Sequence, residues 1–279
     1  MIISIILILF ILLIFYISKK IIYEFYENSN NKKIAFMFLI YDEINHEDIW
    51  KLFFKNIDSN KYNIYIHYKN YKKSEYFDKY KLKNIIPTAW YHISLVKAHN
   101  LLLKEALKDP DNAHFILLSN SCLPFKNFMH IYNNLNPDYS YYNMFNYPHY
   151  ERCQNALKYI SINHIRKAHQ WSILNRKHTS LIVNNDFIYI DWFINCPDEH
   201  SHISYLVYKN LDNELIKTQS AKYDAKTFTN WNNEGTQLHN YDIISDEELL
   251  LLINSPCFFG RKFTKNCKNL NLLYNFFNS

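Results

Sequence analysis

The pattern of apolar and polar positions divides the chain before any composition is counted. Ile2 to Ser18 is an almost unbroken apolar run closed by Lys19 and Lys20. A bilayer-crossing helix needs about 17–25 apolar residues. This run has no polar face, no positive charge before it and no A-x-A-like site after it. It predicts a transmembrane anchor over 1–20, not a packed helix or a cleaved signal. The polar stretch over 21–32 reads as a stalk, and 33–279 as one folded domain.

Inside the domain, KIAFMFLI (Lys33–Ile40), YNIYIHY (Tyr62–Tyr68) and HFILL (His114–Leu118) are compact apolar runs that read as strands. Helical spacing follows Asn45, a possible cap, as far as Asn56. It is clearest over Ser94–Lys108, which proline ends at Asp109-Pro110. Further helices are expected near Arg166–Asn184, over Asp198–Lys209, and over Ser245–Asn254, where Ser245 and Glu248 have capping-box spacing. Strand–helix alternation is the signature of an α/β domain with a mainly parallel sheet flanked by helices. Ligands bind such sheets at the carboxyl ends of the strands. That places Tyr41-Asp42 and Ser119-Asn120-Ser121 at the mouth of a site.

Composition narrows the chemistry. With 2 glycines among 279 residues, neither a GxGxxG dinucleotide loop nor a GxxxxGK[ST] phosphate loop can be built. A net charge of +5 is mild and spread out, so no nucleic-acid partner is expected. Cys122, Cys153, Cys196, Cys257 and Cys267 show no CxxC or zinc spacing; they read either as buried thiols or as up to two disulfides. Lys19 and Lys20, and the lack of any N-x-[ST] sequon, point to the cytosolic side of a membrane.

Several segments, in order, resemble the core-2/I-branching β-1,6-N-acetylglucosaminyltransferase family, its plant-type relatives above all. They are Lys33–Ile40, Trp90–Ala98, HFILLSNSCLPF (His114–Phe125), KAHQWSILNRKH (Lys167–His178), CPDEHSHISYL (Cys196–Leu206), FTNW (Phe228–Trp231) and CFFGRKF (Cys257–Phe263). The resemblance implies a GT-A-like nucleotide-sugar-binding fold on a short membrane anchor in the Golgi or ER lumen. That sidedness opposes the one the lysines suggest. It also implies inverting, metal-independent transfer of a sugar, typically GlcNAc from UDP-GlcNAc, to a glycan hydroxyl. No cofactor is expected beyond the donor. The rival readings are a transferase using another nucleotide sugar such as UDP-xylose, and an inactive carbohydrate-binding or scaffold protein.

Such a transfer needs a base for the acceptor hydroxyl and cations for the leaving diphosphate. Glu199 in Pro197-Asp198-Glu199 matches the family's catalytic glutamate; read alone, Asp198 and Glu199 would simply complement a helix dipole. Lys262, with Arg261, matches the diphosphate-binding position. A further arginine of the animal enzymes is missing from Leu238–Ile243, leaving His239 or Arg261 to take its place. Ser119, Asn120 and Ser121 are expected to line the donor crevice. They replace the D-x-D metal cage of many GT-A enzymes, so no metal site is expected, and Asp109-Pro110-Asp111 reads as a turn. His67 matches the family's strand-end histidine at the nucleoside contact. Trp231, Gln170 and Trp171 are the acceptor candidates. Trp90 is a further aromatic that could stack on a sugar face or serve the core.

Overall fold

The computed structural model describes residues 32–145, 150–184, 192–193, 195–218, 225–231 and 237–278. The expected anchor over 1–20, and the stalk up to residue 31, lie outside the described residues. Among the described residues, no helix is long and apolar enough to cross a membrane.

A six-stranded sheet carries the domain in the order β2-β1-β3-β6-β5-β7. Its strands are β1 (Lys33–Ile40), β2 (Tyr62–Tyr68), β3 (Asn112–Ser119), β5 (Ser140–Asn143), β6 (Ile173–Asn175) and β7 (Leu215–Thr218). β1 pairs in parallel with β2 and β3, and β5 with β7, while β6 runs antiparallel between β3 and β5. β1 and β3 are apolar without alternation because both of their faces are covered. Alternate β1 residues serve opposite layers. Ala35, Met37 and Leu39 pack with Val96, Leu102 and Leu103 of α2 (Ser94–Ala106). Ile34, Phe36 and Phe38 pack with Trp50, Phe53 and Phe54 of α1 (Glu47–Phe54). The Phe36 ring meets Phe54 edge-on at 5.1 Å and Phe53 at 5.7 Å. Truncating so enclosed a side chain costs about 3–5 kcal/mol.

A second layer holds β4 (Leu123–Pro124), β8 (Thr227–Thr229) and β10 (Phe259–Arg261) in the order β4-β10-β8, beside a pair formed by β9 (Tyr241–Ile243) and β11 (Phe263–Lys268). Phe125, Phe228, Tyr241 and Phe263 form its core under α7 (Asp246–Asn254). Ser245 caps α7 as its spacing predicts, accepting from the Glu248 amide at 3.1 Å.

Three expectations are corrected. Asn45 does not cap α1; its amide donates to the Phe263 carbonyl at 2.8 Å, and His46 takes the cap position in a left-handed conformation with no side-chain bond. The helix expected from Arg166 begins at Arg176, as α5 (Arg176–Asn184), because the apolar residues before it pair with β3 as β6. The helix expected from Asp198 splits into a 3-10 turn at Pro197–Glu199 and α6 (Ser201–Tyr208). All five cysteines are buried, and the structure joins none of them in a disulfide.

Candidate functional site

β3 ends at Ser119, and the chain turns back at once: the Cys122 amide donates to the Ser119 carbonyl at 3.3 Å. Ser119 and Ser121 are buried, with hydroxyls 3.1 Å apart. Arg261 Nε donates to Ser119 Oγ at 3.3 Å, and its guanidinium lies over the Trp171 ring at 4.1 Å. Ser119 therefore holds Arg261, with Ser121 behind it, and neither serine faces open solvent. Asn120 is half-buried, and its carbonyl accepts from the Asn45 amide at 2.8 Å.

Gly260 makes this placement possible. A Cβ there would stand 2.2 Å from Phe125 Cε2, so only glycine lets β10 pass the Phe125 ring and carry Arg261 to the serine turn. The Phe263 amide donates to the Ser121 carbonyl at 3.0 Å, fixing the strand on the far side. Between them, Lys262 is exposed at its tip. Desolvation of the rest of the side chain, then the neighbouring Arg261 charge, presses its ammonium below the usual lysine range.

The run 167–171 links this cationic corner to Glu199. Lys167, His169 and Trp171 alternate along it. Trp171 lies under Arg261, while Lys167 Nζ stands 3.4 Å from Glu199 Oε2 and over the Phe145 ring at 4.1 Å. Four residues of chain separate Cα atoms by at most about 14 Å. His169 sits between, buried, with Nδ1 3.1 Å from Thr229 Oγ1 and its ring edge-on to Trp231 at 6.0 Å. Burial, then the Arg261 and Lys167 charges, pushes His169 down to about 3, so the imidazole between the two cations is neutral.

Glu199 is held from three sides. Its carbonyl accepts from the Ala168 amide at 2.9 Å, its amide donates to the Cys196 carbonyl at 3.1 Å, and Arg152 Nη1 lies 3.5 Å from Oε2. Oε2 is shut off from solvent and lies outside hydrogen-bonding geometry with either cation, while the side chain as a whole stays 22% exposed. That leaves Oε1 as the oxygen a hydroxyl can reach. Two cations, not a helix dipole, balance this carboxylate, because Glu199 precedes α6 instead of lying in its first turn. Asp198 beside it is pushed up to about 6, by burial first and then by Glu199. The two neighbouring carboxylates thus occupy different environments.

The structure therefore brings Arg261, Trp171, Ser119 and Ser121 together at one end, and Glu199 with Lys167 and Arg152 at the other. Trp231 and Gln170 are half-buried; Trp231 Nε1 and Gln170 Nε2 are enclosed without hydrogen-bond partners. Of the two proposed substitutes for the missing arginine, His239 is exposed against Tyr241, and Arg261 is the one at the serine turn. His67, at the end of β2, is buried, accepts from the Ile86 amide at 3.0 Å through Nε2, and is pushed down to about 4 by burial. Asp109 lies at the opposite end of the sheet, paired with Lys33 at 2.9 Å and Asn63 at 2.8 Å, as the turn reading requires. No three His, Cys, Asp or Glu side chains converge as a metal site among the described residues. Arg152, Lys167 and His169 were not singled out from sequence, although the last two stand in the quoted KAHQW segment.

A family model described as Core-2/I-Branching enzyme matches residues 34–252, a span that includes Glu199 and stops short of Arg261 and Lys262. A curated relative, glycosyltransferase BC10 of Oryza sativa subsp. japonica, is 26% identical over 175 residues, covering 60% of this chain and 44% of that protein. The chain thus matches less than half of that relative's length. Two solved structures align broadly. One is the galactosyltransferase LgtC in complex with donor and acceptor sugar analogues, with a TM-score of 0.41, 6% identity, and coverage of 81% of this chain and 86% of that one. The other is a glycosyltransferase involved in the glycosylation of the major capsid of PBCV-1, with a TM-score of 0.35, 10% identity, and coverage of 88% and 100%.

Proposed function

The chain belongs to the core-2/I-branching enzyme family, and from that premise we propose that it is an inverting glycosyltransferase of GT-A type. It moves a sugar, GlcNAc from UDP-GlcNAc being the first donor to test, onto a hydroxyl of a glycan acceptor. The acceptor oxygen attacks the anomeric carbon while its proton passes to Glu199 Oε1. The bond from that carbon to the diphosphate breaks on the opposite face, and UDP leaves with the electron pair. Arg261 and Lys262 take up the charge that develops on the diphosphate. In this reading two basic side chains do what a divalent cation does elsewhere, so transfer proceeds without a metal. Lys167 and Arg152 hold Glu199 in position before the acceptor arrives. His67 lies at the strand end where the nucleoside would be held, and Trp231 and Gln170 contact the acceptor. The membrane anchor over 1–20 would place this domain, 33–279, beside the lumenal glycans of the Golgi or ER.

The single observation that carries the reading is the pairing of a half-buried glutamate with a cationic corner at the far end of a five-residue run. The test is UDP release by the detergent-solubilised full chain, with UDP-GlcNAc, UDP-xylose and other UDP-sugars, in the presence and absence of EDTA. Release that persists in EDTA is expected. No release with any of the donors would favour the inactive carbohydrate-binding reading, and release abolished by EDTA would remove the metal-free leaving-group step.

A further inference from the structure

Trp90 is 88% exposed, more than any other large apolar side chain among the described residues. It stands on a fixed turn, not a loose one. The Ala89 amide donates to Ser94 Oγ at 2.9 Å, and His92 Nδ1 lies 3.0 Å from the same hydroxyl. The next residue, Tyr91, holds φ at 65°, a left-handed conformation that costs an aromatic residue about 1–2 kcal/mol. Such outliers gather where binding or catalysis requires them. The turn places the Trp90 and Tyr91 rings 5.3 Å apart at 49°, open to solvent on the indole side.

The other side of Tyr91 faces the chemistry. The Arg152 guanidinium lies over its ring at 5.2 Å, and the same guanidinium reaches Glu199 at 3.5 Å. The phenol sits against the Cys196 thiol and within electrostatic reach of Glu199. Trp90 is therefore one ring contact and one cation contact away from the carboxylate that would take the acceptor's proton. A flat apolar ring beside polar donors suits a pyranose, whose C–H face packs on the indole while its hydroxyls bond Arg152.

We propose that Trp90 and Tyr91 form an acceptor platform, on which a sugar ring of the acceptor glycan stacks while the hydroxyl to be glycosylated reaches Glu199. This rests on the transferase reading above. The platform determines which acceptors are used and has no part in holding the donor. The test compares wild type, Trp90→Ala and Trp90→Phe as full chains. Two readouts are taken: KM for acceptor against KM for UDP-sugar, and tryptophan fluorescence on titration with lactose, chitotriose and xylotriose. Trp90→Ala should raise the acceptor KM about three- to tenfold, with the UDP-sugar KM unchanged and Trp90→Phe close to wild type. The best of the three sugars should shift wild-type emission to the blue, and Trp90→Ala should lose that shift. An unchanged acceptor KM overturns the platform, as does a change confined to the UDP-sugar KM, which would move Trp90 to the nucleotide. If no donor is turned over, the transferase reading fails separately, and the fluorescence titration alone decides: no sugar-dependent shift overturns the platform.

Discussion

Lowering the pH from 7 to 5 is expected to cost the fold about 6 kcal/mol through five buried side chains alone, and His99, which burial also holds well below its ordinary value, adds to the loss. His67 and His114 are held at about 4, and His169 and His202 at about 3, against 6.5 in an unfolded chain. Burial is the first cause in each. A depressed histidine pKa means that the unfolded chain binds the proton first. Stability is therefore complete above pH 6.5 and drains away as the pH falls towards the folded value. Each of the four contributes about 2 kcal/mol of loss by pH 5. Asp198 acts with the opposite sign: held at about 6 in the fold, it protonates there while the unfolded carboxyl stays ionised, and it returns about 1 kcal/mol. The remainder is comparable to the whole stability of an ordinary domain, about 5–15 kcal/mol. Urea unfolding at pH 7, 6 and 5, followed by tryptophan emission, measures it. His202→Gln tests the assignment, because its own loss between pH 7 and 5 should be smaller than that of wild type by about 2 kcal/mol. The cause is desolvation, so 1 M salt should not restore the loss. Stability that is flat from pH 7 to 5, or a loss that vanishes in salt, would refute the reasoning.

Two further outcomes follow from the cationic corner. Gly260→Ala should lower stability by about 1–3 kcal/mol, since the added methyl meets the fully buried Phe125 ring, and should weaken UDP binding because Arg261 is displaced. Thermal melts and UDP titration by calorimetry read both effects, and an unchanged melt would mean that β10 has room to shift. Arg261→Lys keeps the charge and loses both the guanidinium contact over Trp171 and the Nε bond to Ser119; UDP affinity should fall about tenfold in calorimetry. Full affinity in that variant would show that Arg261 does not reach the diphosphate.

The parts of this molecule that were legible in advance are those where local sequence and tertiary use agree. β1 and β3 read as strands because they are buried on both faces, β2 because its short apolar run packs on β1 at the sheet edge, and Ser245 read as a cap because its spacing to Glu248 is local. Asn45 misled because a partner 218 residues away takes its amide. The Ile173–Asn175 strand reads as part of a helix because three residues, Ile-Leu-Asn, carry no period of their own. The short strands of the second layer were not anticipated, since each is two to six residues long and gains its meaning from its neighbours. At the site, Glu199, Arg261 and Lys262 were named through motifs. The residues that condition them were not: Lys167, Arg152 and His169 act by proximity, which only the folded chain creates. Ser119, expected to line a crevice, also takes a bond from Arg261 that spans 142 residues.

The most direct measurement is sugar transfer by Glu199→Gln beside UDP affinity in the same preparation. The amide keeps the shape of the side chain and loses the ability to accept the acceptor's proton. The transfer rate should fall by about 10²–10⁴ while UDP binding, set by Arg261 and Lys262, is unchanged. Transfer at the wild-type rate in that variant would contradict the assignment of Glu199 as the base.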